Sequence, residues 1–431
     1  MQDDIKIAAI FTYMLKSAFI RLLYIIILFF ANLILSNLAL PEKFGILSIL
    51  ILNASLLTIV TGFGIESIVL YKLSNSLWNI SQGFRFIWFG FFWQAMIFGF
   101  LEILSWIVFH RTLLSQATPD YFFIEACYFI GLAIVEKYLS LFYAQNQSGL
   151  ANRILASVVV FYLLVLFIFY YVIKVEWKYI LYVFAFQNIV QAFALVVLFK
   201  GKDDTKTALQ NREVFSTLKM SSIVMFTNVI QLLAYRFDFW LLSYFYGSYE
   251  VGIYAQANKF ANFSWVVPNI ISQILIPRFA SMKNSESGAI FSMGFCFNFL
   301  MILLTTVLAQ FFYFFYLNPE YRVGLTAFYM MLPGYFFWGS VIYFANYFSA
   351  KGKFVNNLIG SLSCLALIFI ADLILIPRYA SKGAALANTF AYTFVFMIYL
   401  FIFMKKDSFR WSHLLLPGKK SFFNIFKIVD K

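Results

Sequence analysis

The stretch AIFTYMLKSAFIRLLYIIILFFANLILS, residues 9–36, is followed by Pro41-Glu42-Lys43-Phe44-Gly45-Ile46-Leu47 and then by a second apolar run over 45–70. Each run exceeds the roughly 20 residues that a helix needs to cross a hydrocarbon core. The short polar corner between them leaves room only for a turn. Working outward, the same pattern recurs at 86–110, 120–144, 153–174, 178–199, 220–246, 251–276, 290–316, 323–349, 354–376 and 383–404. The fold class is therefore all-α: a polytopic membrane protein with about twelve transmembrane helices.

Composition agrees. The 431 residues are 63% hydrophobic and 12% charged, against about 25% charged in soluble domains. A soluble fold has too much surface to hide that apolar excess. The 57 Phe and 27 Tyr suit acyl chains and headgroup levels respectively. Cys127, Cys296 and Cys364 are too far apart for a metal motif, and His110 and His413 are the only histidines. These counts nearly exclude a zinc site or a histidine-based triad. The first apolar run is too long for a cleavable signal and carries Lys16 and Arg21, so it is expected to stay in the membrane.

Lys and Arg concentrate on the cytoplasmic side of such proteins. With the N-terminus inside, the inner loops and N-terminal tail hold Lys6, Lys72, Arg85, Arg153, Lys200, Lys202, Lys206, Arg212, Lys219, Arg278, Lys283, Lys351 and Lys353, and the C-terminal tail adds seven more cations from Lys405 to Lys431. The outer connections hold fewer, among them Lys43, Arg111 and Lys174. Both termini are therefore expected to be cytoplasmic. The tail 405–431 reads as a basic amphipathic segment suited to an anionic leaflet, or as a basic stop-transfer flank.

An internal repeat organises the chain. Gly45, in the corner between helices 1 and 2, and Gly252, in Ser248-Tyr249-Glu250-Val251-Gly252-Ile253-Tyr254, are 207 residues apart. Ala144-Gln145-Asn146-Gln147 and Ser349-Ala350-Lys351-Gly352 end helices 4 and 10 at nearly the same offset. We expect two pseudo-symmetric six-helix lobes, 1–199 and 220–404, joined by a cytoplasmic linker at 200–219. Parallel repeats of this kind place a transporter's site at the repeat interface near the midplane.

Ionisable side chains within spans cost a few kcal/mol and mark cavities or partners. Lys16, Glu66 and Asp372 fall near span ends and are expected to reach the interface. Glu125 lies about a turn inside an outer edge, and Glu136 and Lys137 lie near the inner end of helix 4. Arg21, Arg236 and Lys259 lie deeper, on helices 1, 7 and 8, and are the candidate substrate-binding residues. They suit an anionic cargo such as a pyrophosphate or an acidic sugar. Asp238 and Glu102 are the candidate ion-coupling residues. The alternative for these groups is an internal salt bridge, such as Arg236 with Glu102. Gly62 and Gly64, Pro268, and Pro333-Gly334 are expected to interrupt helices 2, 8 and 10.

Four stretches then carry a resemblance. They are Leu40 to Leu47; Tyr235-Arg236-Phe237-Asp238 with Tyr246-Gly247 and Val251-Gly252-Ile253-Tyr254; Leu275-Ile276-Pro277-Arg278; and Leu375-Ile376-Pro377-Arg378-Tyr379 with Gly383-Ala384-Ala385-Leu386-Ala387. In these the chain resembles the polysaccharide-transport branch of the multidrug/oligosaccharidyl-lipid/polysaccharide flippase superfamily, and looks most like an O-antigen flippase. Ser248-Tyr249 departs from the Pro-Glu that the first repeat keeps.

The resemblance implies movement of an undecaprenyl-pyrophosphate-linked oligosaccharide from the cytoplasmic to the periplasmic leaflet of a bacterial inner membrane. Transport would proceed by alternating access through a cationic cavity. It implies no cofactor beyond proton or sodium coupling. The expected partners are the lipid-linked oligosaccharide and inner-membrane lipids, with a polysaccharide polymerase and a chain-length regulator as further candidates, and no nucleic acid. The alternatives are a multidrug exporter or a lipid II flippase of the same superfamily, and a membrane-embedded polymerase or ligase. No outer loop is long or carboxylate-rich enough to favour an enzyme.

Overall fold

The computed structural model describes residues 2–115, 121–201, 211–281 and 284–407. Asp120, the run Lys202-Asp203-Asp204-Thr205-Lys206, Lys283 and the tail beyond Asp407 lie outside the described residues. Within them the structure is helical and holds no strand. In chain order the helices are α1 (Gln2–Gly62), α2 (Ile65–Ser74), α3 (Ile80–Phe109), α4 (Phe122–Ala144), α5 (Ser148–Phe167), α6 (Trp177–Leu198), α7 (Asn211–Phe263), α8 (Val266–Ser281), α9 (Asn284–Phe315), α10 (Gly324–Ala350) and α11 (Phe354–Asp407).

Three of these are longer than any bilayer is thick, and each contains a break. The breaks are at Leu40 in α1 (φ 58°, ψ 166°), Gly247 in α7 (φ 77°, ψ −174°) and Ala380 in α11 (φ 50°, ψ −133°). They fall at the corners read from the sequence between spans 1 and 2, 7 and 8, and 11 and 12. Leu40 breaks where Pro41 follows, because a proline ring disfavours the helical region for the residue before it. Pro41 then opens the next helical stretch, where its missing N–H costs nothing.

The repeat is written in backbone angles. Left-handed residues pair across the halves: Leu40 with Gly247, 207 residues on, Asn146 with Gly352, 206 on, and Lys174 with Ala380, 206 on. The first pair directly precedes the stretches holding Gly45 and Gly252, and the second lies in the helix ends, from which the sequence repeat was read. At Gly247 the conformation meets no steric penalty. At Leu40 and Ala380 a side chain sits in the same region, which is sparsely populated for residues other than glycine.

Among the described residues eight helices are long and apolar enough to cross a membrane. Large apolar side chains lie bare on them: Tyr244 is 82% exposed, Phe315 80% and Phe215 74%. Such surfaces are stable only against lipid, and the chain is a multi-pass membrane protein. The helix α4, which is not among the eight, carries Glu125, Glu136 and Lys137. Glu125 and Lys137 are nonetheless 0% and 1% exposed, so their charge faces protein rather than lipid.

The chain forms two compact units, Met1–Leu232 and Leu233–Lys431. The division falls inside α7. In the first unit α2, α3, α4, α5 and α6 pack around Ile65, Trp78, Phe86, Phe142, Leu155 and Leu195. The start of α7 joins them: Lys72 Nζ donates to Thr217 Oγ1 at 2.6 Å. In the second unit the core is aromatic, with Phe291 stacked on Phe344 at 4.4 Å and Phe403 packed on both.

Three helix breakers behave differently from expectation or more sharply. Helix 2 breaks at Phe63-Gly64, both left-handed, as Gly62 and Gly64 suggested. Helix 8 breaks at Ser264-Trp265, just before α8, rather than at Pro268. Pro268 lies in the first turn of α8 and cannot bond the carbonyl four residues back, which moves the break upstream. Helix 10 is not interrupted at Pro333-Gly334, since α10 runs through Pro333. Thr389 Oγ1 donates to the Met330 carbonyl beside the proline at 2.5 Å, and a neighbour of this kind lets a membrane helix carry a proline.

Candidate functional site

In the second unit, α7 brings Arg236 and Asp238 to one level, two residues apart. Beyond the Gly247 break, the same helix returns with Tyr254, Asn258 and Lys259. The helix α10 adds Tyr335, and α11 adds Asp372 before its break and Asn388 after it.

Arg236 Nη1 donates to Asn258 Oδ1 at 2.6 Å, and Asn258 Nδ2 donates to Tyr335 Oη at 2.8 Å. The guanidinium also lies over the Phe239 ring, 5.2 Å from its centroid. Its hydrogen-bond partner is thus a neutral amide, with the Asp238 carboxylate within electrostatic reach. Lys259 is half-buried and within electrostatic reach of Arg236. Two like charges held close in an apolar surround favour an anion nearby.

Asp238 is 1% exposed. Its Oδ1 accepts the Phe239 N–H at 2.9 Å. Its Oδ2 accepts from the Tyr254 hydroxyl and from Asn388 Nδ2, the latter at 2.9 Å. Asn388 also donates to Tyr254 Oη at 2.7 Å. Asp372 corrects the sequence reading. It was expected at the interface, yet it is 0% exposed. Neither of its carboxylate oxygens has a hydrogen-bond partner, and it lies within electrostatic reach of Asp238. A buried carboxylate without donors is an unstable arrangement unless it holds a proton or a cation.

Among the described residues no three His, Cys, Asp or Glu gather as a metal site. Two carboxylates with a neighbouring hydroxyl and amide suit a shared proton or a monovalent cation. Sequence reasoning placed Asp372 too near a span end because span edges are uncertain by several residues. It also missed Asn388, which directly follows the Gly383 to Ala387 stretch.

The first unit treats most of its charge differently. Lys137 Nζ pairs with Glu66 Oε1 at 2.8 Å and also donates to Gln94. Gln94 is tied in turn to the Thr58 carbonyl at 2.9 Å. Glu66, expected at the interface, is therefore part of an internal ion pair. Glu102 accepts the Leu113 N–H at 3.1 Å. Glu125 accepts the N–H groups of Leu114 and Ser115, both at 2.9 Å, and the Ser115 hydroxyl. These two acids hold the turn after α3 by its backbone.

Arg21 is the exception. Its guanidinium lies 5.0 Å from the Tyr24 centroid, and Nη1 is buried without a hydrogen-bond partner. Tyr24 bonds Gln191, whose Nε2 is likewise buried without one. Two orphaned donors linked by one tyrosine can receive an anion's oxygens.

The unit also has a pocket of about 630 Å3 lined by residues that include Trp78, Asn79, Gln145 and Lys200. Lys72, over the Trp78 ring at 4.2 Å, lies next to it, and burial lowers the pKa of its ammonium against the opposing pull of Glu213.

The family described as polysaccharide biosynthesis protein matches residues 34–314. No curated protein sequence matches the chain. Among solved structures, the chain is similar to the lipid II flippase MurJ in an inward closed conformation. The TM-score is 0.71 at 16% identity, covering 97% of this chain and 92% of that one. It is similar to a multidrug resistance MATE family transporter of the MOP superfamily in an outward-facing conformation, with TM-score 0.65 at 9% identity over 92% and 96% of the two chains. The Vibrio cholerae MATE transporter VcmN, in its bent form, gives TM-score 0.59 at 15% identity over 92% and 98%. At these identities the likeness concerns the fold.

Proposed function

We propose that this chain, which belongs to the polysaccharide biosynthesis protein family, is a flippase that carries an undecaprenyl-pyrophosphate-linked oligosaccharide, such as an O-antigen repeat unit, from the cytoplasmic to the periplasmic leaflet of a bacterial inner membrane. The two six-helix halves act as lobes that alternate access. Arg236 and Lys259 in the second unit receive the pyrophosphate, and Arg21 in the first unit is a separate anion-binding candidate.

Asp238 carries the ion coupling, and Asp372 takes the role expected for Glu102, which is committed to a loop. The observation that carries the reading is the second unit's cluster. It has two cations within electrostatic reach of each other, with Arg236 hydrogen-bonded to an amide and also within reach of Asp238, and a second buried acid near Asp238, Asp372, whose oxygens have no donors. A drug exporter for organic cations has no use for the cations. Membership of the family supports a cargo among polysaccharide precursors.

The test is deletion in the native host followed by leaflet-resolved analysis of lipid-linked sugars. Complementation uses wild type, Arg236→Ala, Lys259→Ala and Asp372→Asn, each checked for membrane abundance. Cytoplasmic-leaflet accumulation that wild type relieves and the variants do not supports the proposal. Single repeat units that reach the periplasmic face and stay unpolymerised would sink it and favour a polymerase.

A further inference from the structure

We propose that Trp265 and Tyr235 form a sugar-stacking subsite in the second unit, beside Arg236, that takes a hexopyranose ring of the cargo's head. The proposal rests on the flippase reading and names the part of the substrate that this surface holds.

Trp265 stands at the break between α7 and α8 rather than on a regular helix face. Its N–H bonds the Asn262 carbonyl at 3.0 Å, and the Ser264 hydroxyl bonds the Ala261 carbonyl at 2.6 Å. The indole is fixed twice. Nε1 donates to the Tyr335 carbonyl at 2.8 Å, and the ring stacks on the Tyr335 ring at 4.2 Å and 13°.

Behind the pair, Tyr335, Trp338 and Tyr392 are 2%, 8% and 1% exposed. Tyr392 lies 5.7 Å from Trp265 and 4.6 Å from Trp338. Tyr235 closes the side, 6.3 Å from Trp265 and perpendicular to Trp338 at 5.6 Å. Trp265 and Tyr235 remain half-buried.

The result is a rigid aromatic surface whose polar indole group is already used inward. A pyranose presents a face of C–H bonds that buries well on such a ring, and its hydroxyls want donors and acceptors at the rim. That rim exists. Arg236 follows Tyr235 in the chain, and Asn258 links Arg236 to the Tyr335 hydroxyl beneath the indole. Asn262 donates to the Asn258 carbonyl at 2.8 Å, and the exposed Asn269 donates to the Trp265 carbonyl at 2.9 Å. A phosphate on Arg236 would thus be joined to the stacking surface through Asn258 and Tyr335, whose ring stacks on Trp265.

The experiment compares two lipids on purified full-length protein in detergent. One is the lipid-linked oligosaccharide extracted from the deletion host. The other is undecaprenyl pyrophosphate without sugar. Trp265→Ala is expected to weaken binding of the glycosylated lipid about three- to tenfold while leaving the bare lipid unchanged. Tyr235→Ala should do so to a smaller extent, and Trp265→Phe should restore most of the loss. Equal weakening for both lipids would show an aromatic cluster that only packs the unit and would overturn the proposal, as would no change for either. If wild type binds neither lipid, the flippase reading itself fails. If wild type binds both lipids equally, the sugar subsite alone fails.

Discussion

The two halves of the molecule share their backbone breaks and differ in how they handle buried charge. In the first unit Lys137 has Glu66, Glu102 has a backbone N–H, and Glu125 has two and a hydroxyl. In the second unit Arg236 is met by an amide and Asp372 by no donor at all. The difference teaches that burial alone does not mark a functional charge. A charge whose bonds are complete is structural, and one left incomplete in the same apolar surround is held for something that comes and goes.

The largest expected effect falls on the complete side. Lys137→Ala leaves the partly buried Glu66 without its cation, and breaking a fully buried pair costs about 3–5 kcal/mol, an upper bound here. The variant should be nearly absent from membranes, and Lys137→Met with Glu66→Leu should recover much of the loss. If Lys137→Ala accumulates and unfolds like wild type, the first unit is not held by this pair. The comparison with the second unit then loses its footing.

Glu125 and Glu102 offer a graded step. Replacing an acid that anchors buried donors leaves each unsatisfied at about 1–3 kcal/mol. Glu125→Ala should therefore lower the thermal midpoint more than Glu102→Ala. The reverse order would mean that Glu102 does more than hold its loop.

The breaks supply the smallest effect. Leu40→Gly relieves a conformation that costs a non-glycine residue about 1–3 kcal/mol, so it should leave stability equal or slightly higher. Gly247→Leu should lower it by a similar amount, measured by thermal unfolding in one detergent. Equal responses at the two sites would deny that they are matched corners.

What was legible in the sequence follows the same divide. Local chemistry announces itself. Apolar run lengths gave the spans, and the spacing of Gly45 and Gly252, with that of the ends of helices 4 and 10, gave the repeat; the paired angles at Asn146 and Gly352 recur at the same offset. Arg236 and Asp238 stood out as charges in a span.

Completion of bonds does not announce itself, because it depends on residues far apart in the chain. Nothing local shows that Lys137 would choose Glu66 over its neighbour Glu136. Nor does anything local show that Glu102 would bind Leu113, or that Thr389 would carry α10 past Pro333. Asp372 was misread for a related reason. Its depth depends on where α11 begins, and a shift of a few residues moves a side chain from headgroup level to the interior.

The central claim is that the second unit's incomplete charges move an anionic lipid headgroup. Its most direct test is leaflet transfer of a fluorescent undecaprenyl-pyrophosphate-linked oligosaccharide in proteoliposomes holding the purified chain, read by a membrane-impermeant quencher. Wild type should transfer the lipid faster than protein-free vesicles. Arg236→Ala and Asp372→Asn, folded and inserted to the same extent, should fall to the protein-free rate. Transfer by both variants at the wild-type rate, or no transfer by wild type under any proton or sodium gradient, would contradict the account.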